Sequence, residues 1–275
     1  MIYLQVKLFV GKTFINIKIN FIIMNDKLFS YLDKVKKYAR FTSQETKAII
    51  FSILIITIIV GFSDGRADQI ADSYFFFNLL IMFIFVAIAI LAKIIGQKLI
   101  GIENGFRTEY SIWWYGLLIG VIVSFITKGK IWILIPGSII CNMMPGHRLG
   151  KFRYGMNYFP LGWTGAFGPI SNLILAFIFK VLTYLPFGTV FFEKAVLLNV
   201  LLAVMNILPI PPLDGSMTFF GSRVLYVFTS TSILAFGLSL IFFNILIAIL
   251  ILILAVIIVT PLYIYFFEYG KGWWT

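Results

Sequence analysis

The chain has 275 residues, of which 61% are hydrophobic and only 12% charged, and its mean hydropathy is +1.01. Soluble domains run about 45–50% apolar and about 25% charged, so this composition excludes an ordinary soluble domain, and it equally excludes disorder, which needs low hydrophobicity and high charge. The 22 Lys and Arg against 11 Asp and Glu give a net charge of +11. No nucleic-acid recognition motif accompanies that charge. In a membrane protein, loop cations set orientation and meet anionic headgroups. The expected partner is therefore the lipid bilayer, with no nucleic acid. The expected fold class is an all-α polytopic integral membrane protein. Cys141 is the single cysteine and His147 the single histidine. Neither an intrachain disulfide nor a Cys-rich metal site can be built.

In chain order, residues 1–47 read as a basic arm with nine Lys or Arg against Asp26, Asp33 and Glu45. Partial alternation over 13–19 gives a weak strand signal. Residues 28–40 repeat apolar positions near helical spacing, which predicts a short amphipathic helix lying on the membrane surface. A spanning helix needs about 20 mostly apolar residues. Ala48–Phe62 is the first candidate, begun by Ser43-x-Glu45, and Tyr74–Ile100 the second, after an acidic 61–72 loop. Ile112–Ile126 and Ile131–Met144 each fall short of a span and are expected to form a tilted or re-entrant hairpin. Gly165–Leu185 and Ala195–Leu208 follow. Ser232–Phe267 has about twice a spanning length, so it reads as two helices or as one span with a kinked extension near Asn244 or Pro261. The expected organisation is a 1–47 arm, a 48–267 transmembrane domain of about six helices with its core in 74–215, and a 268–275 tail. Within that core the spans are 74–100, 165–185 and 195–215. The positive-inside rule places the N-terminus in the cytosol, and the setting expected is the plasma membrane of a prokaryote. Lys180 reads as a residue that snorkels near a helix end, and Trp113, Trp114, Tyr115, Trp132, Trp273 and Trp274 as interfacial belt residues.

Two segments carry chemistry. In Asn206-Ile-Leu-Pro209-Ile-Pro211-Pro212-Leu-Asp214-Gly215, the prolines lack amide donors and must break the helix. Asp214 sits just past the break, either as a carboxylate at membrane depth, which is functional by default, or as a loop residue capping the next segment. In Gly165-Ala-Phe-Gly168-Pro169-Ile-Ser-Asn172, Gly and Pro open a spanning helix whose Asn172 must hydrogen-bond inside the bundle, and small residues permit close helix contact.

In this order and spacing, the two segments resemble the site-2 protease family of intramembrane zinc metalloproteases (peptidase family M50), over roughly residues 45–225. The resemblance implies a cleft lined by Gly168, Pro169, Asn172, Asn206, Pro209, Pro211, Pro212, Asp214 and Gly215, with Asp214 as the third zinc ligand. It also implies a His-Glu-x-x-His element on the preceding core helix, where two imidazoles on one face bind zinc and the Glu activates water. This chain has Lys93-Ile94-Ile95-Gly96-Gln97 there: Lys93 and Gln97 replace the imidazoles, and Ile94 replaces the general base. No intact catalytic set remains. His147 and Cys141 lie in another segment, so His147 with Asp214 is only a weak metal pair and no cofactor is expected.

Lys93 lies about seven residues before the helix end, where its stem can snorkel toward the interface; charge offers a second reading. An ammonium there can face Asp214, with Gln97 one turn on completing a polar cluster, because an unpaired buried carboxylate is costly. The reading is a catalytically inactive, site-2-protease-like membrane protein that binds or scaffolds transmembrane segments of partner proteins. Two alternatives remain: an active intramembrane metalloprotease with an atypical ligand set that holds zinc, and a small transporter or channel using Lys93 and Asp214 as a relay.

Overall fold

The computed structural model describes residues 29–62, 73–144, 157–186 and 188–269. His147, the 13–19 segment, Trp273 and Trp274 lie outside the described residues. The chain divides into two units at Arg40 and Phe41. The first unit contains α1, residues 29–38, where helical spacing was expected.

The second unit is mostly helical. Six of its helices are long and apolar enough to cross a membrane: α2 (Ser43–Gly61), α3 (Ser73–Asn104), α5 (Tyr158–Leu182), α6 (Thr189–Asn206), α8 (Arg223–Phe242) and α9 (Ile245–Tyr263), the last continuing as a π-helical turn over Ile264–Tyr269. Between them lie β1 (Phe106–Ile112), the 13-residue α4 (Trp114–Ile126), β2 (Gly137–Met143) and the short α7 (Asp214–Gly221). Thr42 starts α2 with a reciprocal cap: its hydroxyl accepts from Glu45 N at 3.2 Å, and Glu45 Oε2 accepts from Thr42 N at 3.4 Å. This arrangement satisfies two otherwise orphaned donors.

Several expectations need correction. The domain is not all-α. The expected re-entrant hairpin over 112–144 is instead α4 followed by β2, which pairs antiparallel with β1, Phe106 opposite Met143 and Ile112 opposite Gly137. Residues 106–112 alternate buried and more exposed side chains, the period that one half-buried strand requires. Gly137, at φ +138° with Ser111 O 2.2 Å from where its Cβ would be, starts β2 where no other residue fits. The Gly-Pro pair does not open α5, which begins ten residues before Gly168, at Tyr158, and keeps Pro169 inside it. The expected 195–215 span ends at Asn206, and α7 starts separately at Asp214. The 232–267 stretch is two helices broken at Asn244, the first beginning at Arg223 rather than Ser232.

Two apolar clusters hold the unit together. One joins α2 and α3 to Leu117, Leu134, Leu198 and Leu202. The other joins α5, α6 and α8, with Ala248 of α9 at its edge. Backbones approach where side chains are small. A Cβ on Gly96 of α3 would sit 2.1 Å from Ser171 Oγ of α5, and one on Gly221 of α7 would sit 2.5 Å from Gly162 Cα of α5. These close approaches seat α3 and α7 on opposite stretches of α5 and bring Lys93 and Asp214 together.

Candidate functional site

Lys93 lies on the buried face of α3, 1% exposed. Its ammonium makes three short contacts: Asp214 Oδ2 at 2.9 Å, Asn206 Oδ1 at 2.8 Å and Gly137 O at 2.7 Å. Two of these are hydrogen bonds, donated to Asn206 of α6 and Gly137 of β2, and the third is the ion pair with Asp214 of α7. The other Asp214 oxygen, Oδ1, accepts from the Ser138 hydroxyl. Asp214 is fully buried and opens α7, where the helix dipole favours negative charge. Asn206 closes α6 and ties its own Nδ2 back to Leu202 O at 2.7 Å.

The proline break delivers Asp214 to this point. After Asn206 the chain turns through Pro209, Pro211 and Pro212, with a cis bond between the last two, and α7 packs back on the end of α6. A Cβ on Gly215 would lie 2.0 Å from Ile207 O, so only glycine permits the approach. The three prolines are exposed. They shape the turn and stand outside the buried Lys93–Asp214 cluster.

Gln97 has a structural use the sequence hid. Pro169 has no N–H for the carbonyl four residues back, and a proline inside a helix leaves that acceptor orphaned. The acceptor is Gly165 O, and Gln97 Nε2 donates to it at 3.4 Å. Gly168 permits this contact: its Cβ would meet Gln97 Nε2 at 2.5 Å and Asp214 Oδ2 at 2.9 Å. Gln97 thus sits beside the Asp214 carboxylate, as the expected cluster required. Ile94 is fully buried in the apolar cluster. Asn172 departs from expectation: it is fully buried, yet neither its Oδ1 nor its Nδ2 finds a hydrogen-bond partner among the described residues, and Gln97 Oε1 is likewise unpartnered.

A second buried ion pair went unread in the sequence. Lys98 Nζ lies 3.0 Å from Glu45 Oε2, donates to Thr108 O at 3.0 Å and sits 4.8 Å over the Phe41 ring. Glu45 Oε1 accepts from Tyr110 N at 3.0 Å. One carboxylate therefore caps α2 and joins it to α3 and β1. Tyr110 OH bonds to Ser52 Oγ at 2.8 Å and Pro136 O at 2.9 Å. Burial, reinforced by the Asp214 charge, pushes this phenol above its ordinary range although the Ser52 bond opposes it. Burial and then Asp214 push the Cys141 thiol up to about 12.

A zinc ion does not fit the residues at Asp214. Both carboxylate oxygens are already engaged, one by an ammonium and one by a hydroxyl. The neighbouring side chains are an amide and an alkyl group. Among the described residues no three His, Cys, Asp or Glu come together as a ligand set. The Cys141 thiol is held protonated, whereas a metal takes the thiolate.

The nearest signal for Ser138 and Gly137 was a serine beside a glycine in an otherwise apolar run. For Glu45–Lys98 no local signal exists, since the partners stand far apart in sequence.

No protein-family model matches the chain, and no solved structure matches it. A protein of Methanocaldococcus jannaschii named "Putative zinc metalloprotease MJ0611" is 25% identical over 187 residues, which make up 64% of this chain and 83% of that protein. That likeness supports a metalloprotease-like family and nothing finer.

Proposed function

We propose that this chain is a membrane-embedded, site-2-protease-like protein (peptidase M50 type) that has lost hydrolysis and binds or scaffolds transmembrane segments of partner proteins. The observation that carries the proposal is the Lys93 ammonium held by Asp214, Asn206 and Gly137. Positive charge that a hydrolytic metal would bring to Asp214 is supplied covalently by the chain, and Ile94 stands where the resemblance would put the general base. The named relative supports kinship with zinc metalloproteases; the donor set argues against their chemistry here. No cofactor is needed.

The partner-binding part rests on β2. Among the described residues it pairs with β1 along one edge only, and its start is tied to the site through Gly137 and Ser138. Ile140 and Asn142 are exposed beyond that point. An extended, locally unwound segment can add to such an edge by main-chain pairing. The setting is the plasma membrane of a prokaryote with the N-terminus in the cytosol, in keeping with six apolar helices and with the charge of the arm.

The test has two arms. Full-length protein purified in detergent and incubated with zinc should retain no stoichiometric metal after desalting, and it should not cleave transmembrane test peptides. A photo-crosslinking residue at Asn142 should capture membrane segments in cells, and the same residue at Ile258 of α9 should capture far fewer. One tightly held zinc per chain, with chelator-sensitive cleavage abolished in Asp214→Asn, overturns the inactive reading in favour of the active protease. Equal capture at both positions overturns the scaffold reading.

A further inference from the structure

A second site lies at the opposite end of the bundle from the Glu45–Lys98 pair. The last turns of α5 and α8 and the first turns of α6 enclose a cavity of about 370 Å3 lined by Lys180, Glu193, Lys194, Val196, Leu240 and Ile241, among others. That volume falls in the range of small-molecule sites, roughly 300–1,000 Å3. Its floor is apolar: Leu240 and Val196 are buried. Its opening is cationic. Lys180 and Lys194 are half-buried while Glu193 is exposed, so the two ammonium groups act in a less screened setting than the carboxylate. Lys194 is anchored by donating to Asn78 Oδ1 at 3.0 Å, which fixes one cation at the mouth.

The position of this cavity along the helices argues for its occupant. Lys180 stands two residues from the end of α5, Lys194 in the second turn of α6, and Ile241 one residue from the end of α8. Three candidate spans therefore end together where two lysines stand above an apolar slot. In a bilayer this is the level at which lipid phosphates meet acyl chains. Lysines at that level hold an anionic headgroup by charge while the apolar residues beneath them meet its acyl chain.

We propose that this cavity is a binding site for an anionic phospholipid: Lys180 and Lys194 take the phosphate, and the acyl chain lies along Val196, Leu240 and Ile241. The proposal rests on the membrane placement argued above. A free phosphate shares the headgroup chemistry but gains nothing from the apolar floor.

The experiment is native mass spectrometry of the full chain released from vesicles of mixed phosphatidylglycerol and phosphatidylcholine. Wild type should carry phosphatidylglycerol in excess. The excess should fall about fivefold for each lysine removed in Lys180→Gln and Lys194→Gln, since each interfacial cation contributes about that much, and Lys180→Arg with Lys194→Arg should retain it. Inorganic phosphate should not displace the lipid. Wild type without preference, or a preference untouched in the double Gln variant, overturns the site. Displacement by inorganic phosphate also overturns it, reducing the feature to a free-anion site. Protein that cannot be incorporated into vesicles at all sinks the membrane placement instead, a failure visible before any lipid is counted.

Discussion

Lys93 and Asp214 neutralise each other in a place where neither could stand alone. A buried ion pair is weak evidence of net stability, but removing one partner strands the other charge and costs about 3–5 kcal/mol, while replacing both with apolar groups is often neutral. Lys93→Met and Asp214→Leu should each lower the unfolding midpoint strongly in detergent titrations, and the double variant should return most of the way to wild type. Additive losses in the double variant would show that the two residues act separately. Cys141 offers a second test at this scale. An unperturbed thiol titrates near about 8.5, and here it is pushed up to about 12. The neutral thiol therefore stabilises the fold below about pH 8.5, and that contribution is lost as pH rises through about 12. Alkylation of native protein should keep accelerating well above the pH at which the unfolded chain has levelled off. A native rate profile matching the unfolded one would contradict the burial of this group.

At the scale of elements, the joints are glycines and carboxylates. Gly168→Ala places a methyl group 2.5 Å from Gln97 Nε2 and 2.9 Å from Asp214 Oδ2, an overpacking that costs about 1–3 kcal/mol. It should push α3 and α7 away from α5, measurable as lost thermal stability and as greater protease access at the 207–213 turn. Glu45→Gln removes the charge facing Lys98 while keeping the shape of the cap; it should destabilise as a stranded cation does, by about 3–5 kcal/mol. Thr42→Ala, which removes only the cap, should cost about 1 kcal/mol. These elements were unevenly legible. Helix 73–104 and the break at Asn244 could be read because long apolar runs and a polar interruption are local facts. The Asp214 break could be read from its prolines. The strands went unread: each is seven residues long, β2 lies in a mostly apolar stretch where β-branched residues suit either structure, and β1 alternates polar and apolar residues over too short a run to stand out. Pro169 looked like a helix start because its missing donor is made good by Gln97, a residue on another helix. The Lys93–Asp214 pairing was reached by asking what balances a carboxylate, whereas Gly137, Ser138 and the Glu45–Lys98 pair depend on folding that no local pattern announces.

Among the described residues the two buried lysines, Lys93 and Lys98, each face a carboxylate. In the proposed membrane placement, spans alternating in direction put Phe41 and the 207–213 turn on one face and Asn244 on the other. In a Cys141→Ser background, a cysteine at Asn244 should label from outside intact cells, and one at Phe41 only after permeabilisation. The reverse pattern would invert the cytosolic assignment of the N-terminus. The outermost helix, α9, is apolar on every side and has only Ala248 buried. Its main neighbour is α8, so most of its apolar surface is uncovered among the described residues.

The three oxygens around the Lys93 ammonium come from residues 137, 206 and 214, so the last of them is synthesised long after α3. During biogenesis the nascent polypeptide must shelter an uncompensated cation until the final oxygen emerges from the ribosome. A polypeptide truncated at 208 should be recognised as unfinished and degraded quickly, and Lys93→Met should prolong its lifetime in a pulse-chase experiment. The contact proposed above to stand in for a metal would then also register that the chain has been made to its proline turn and beyond.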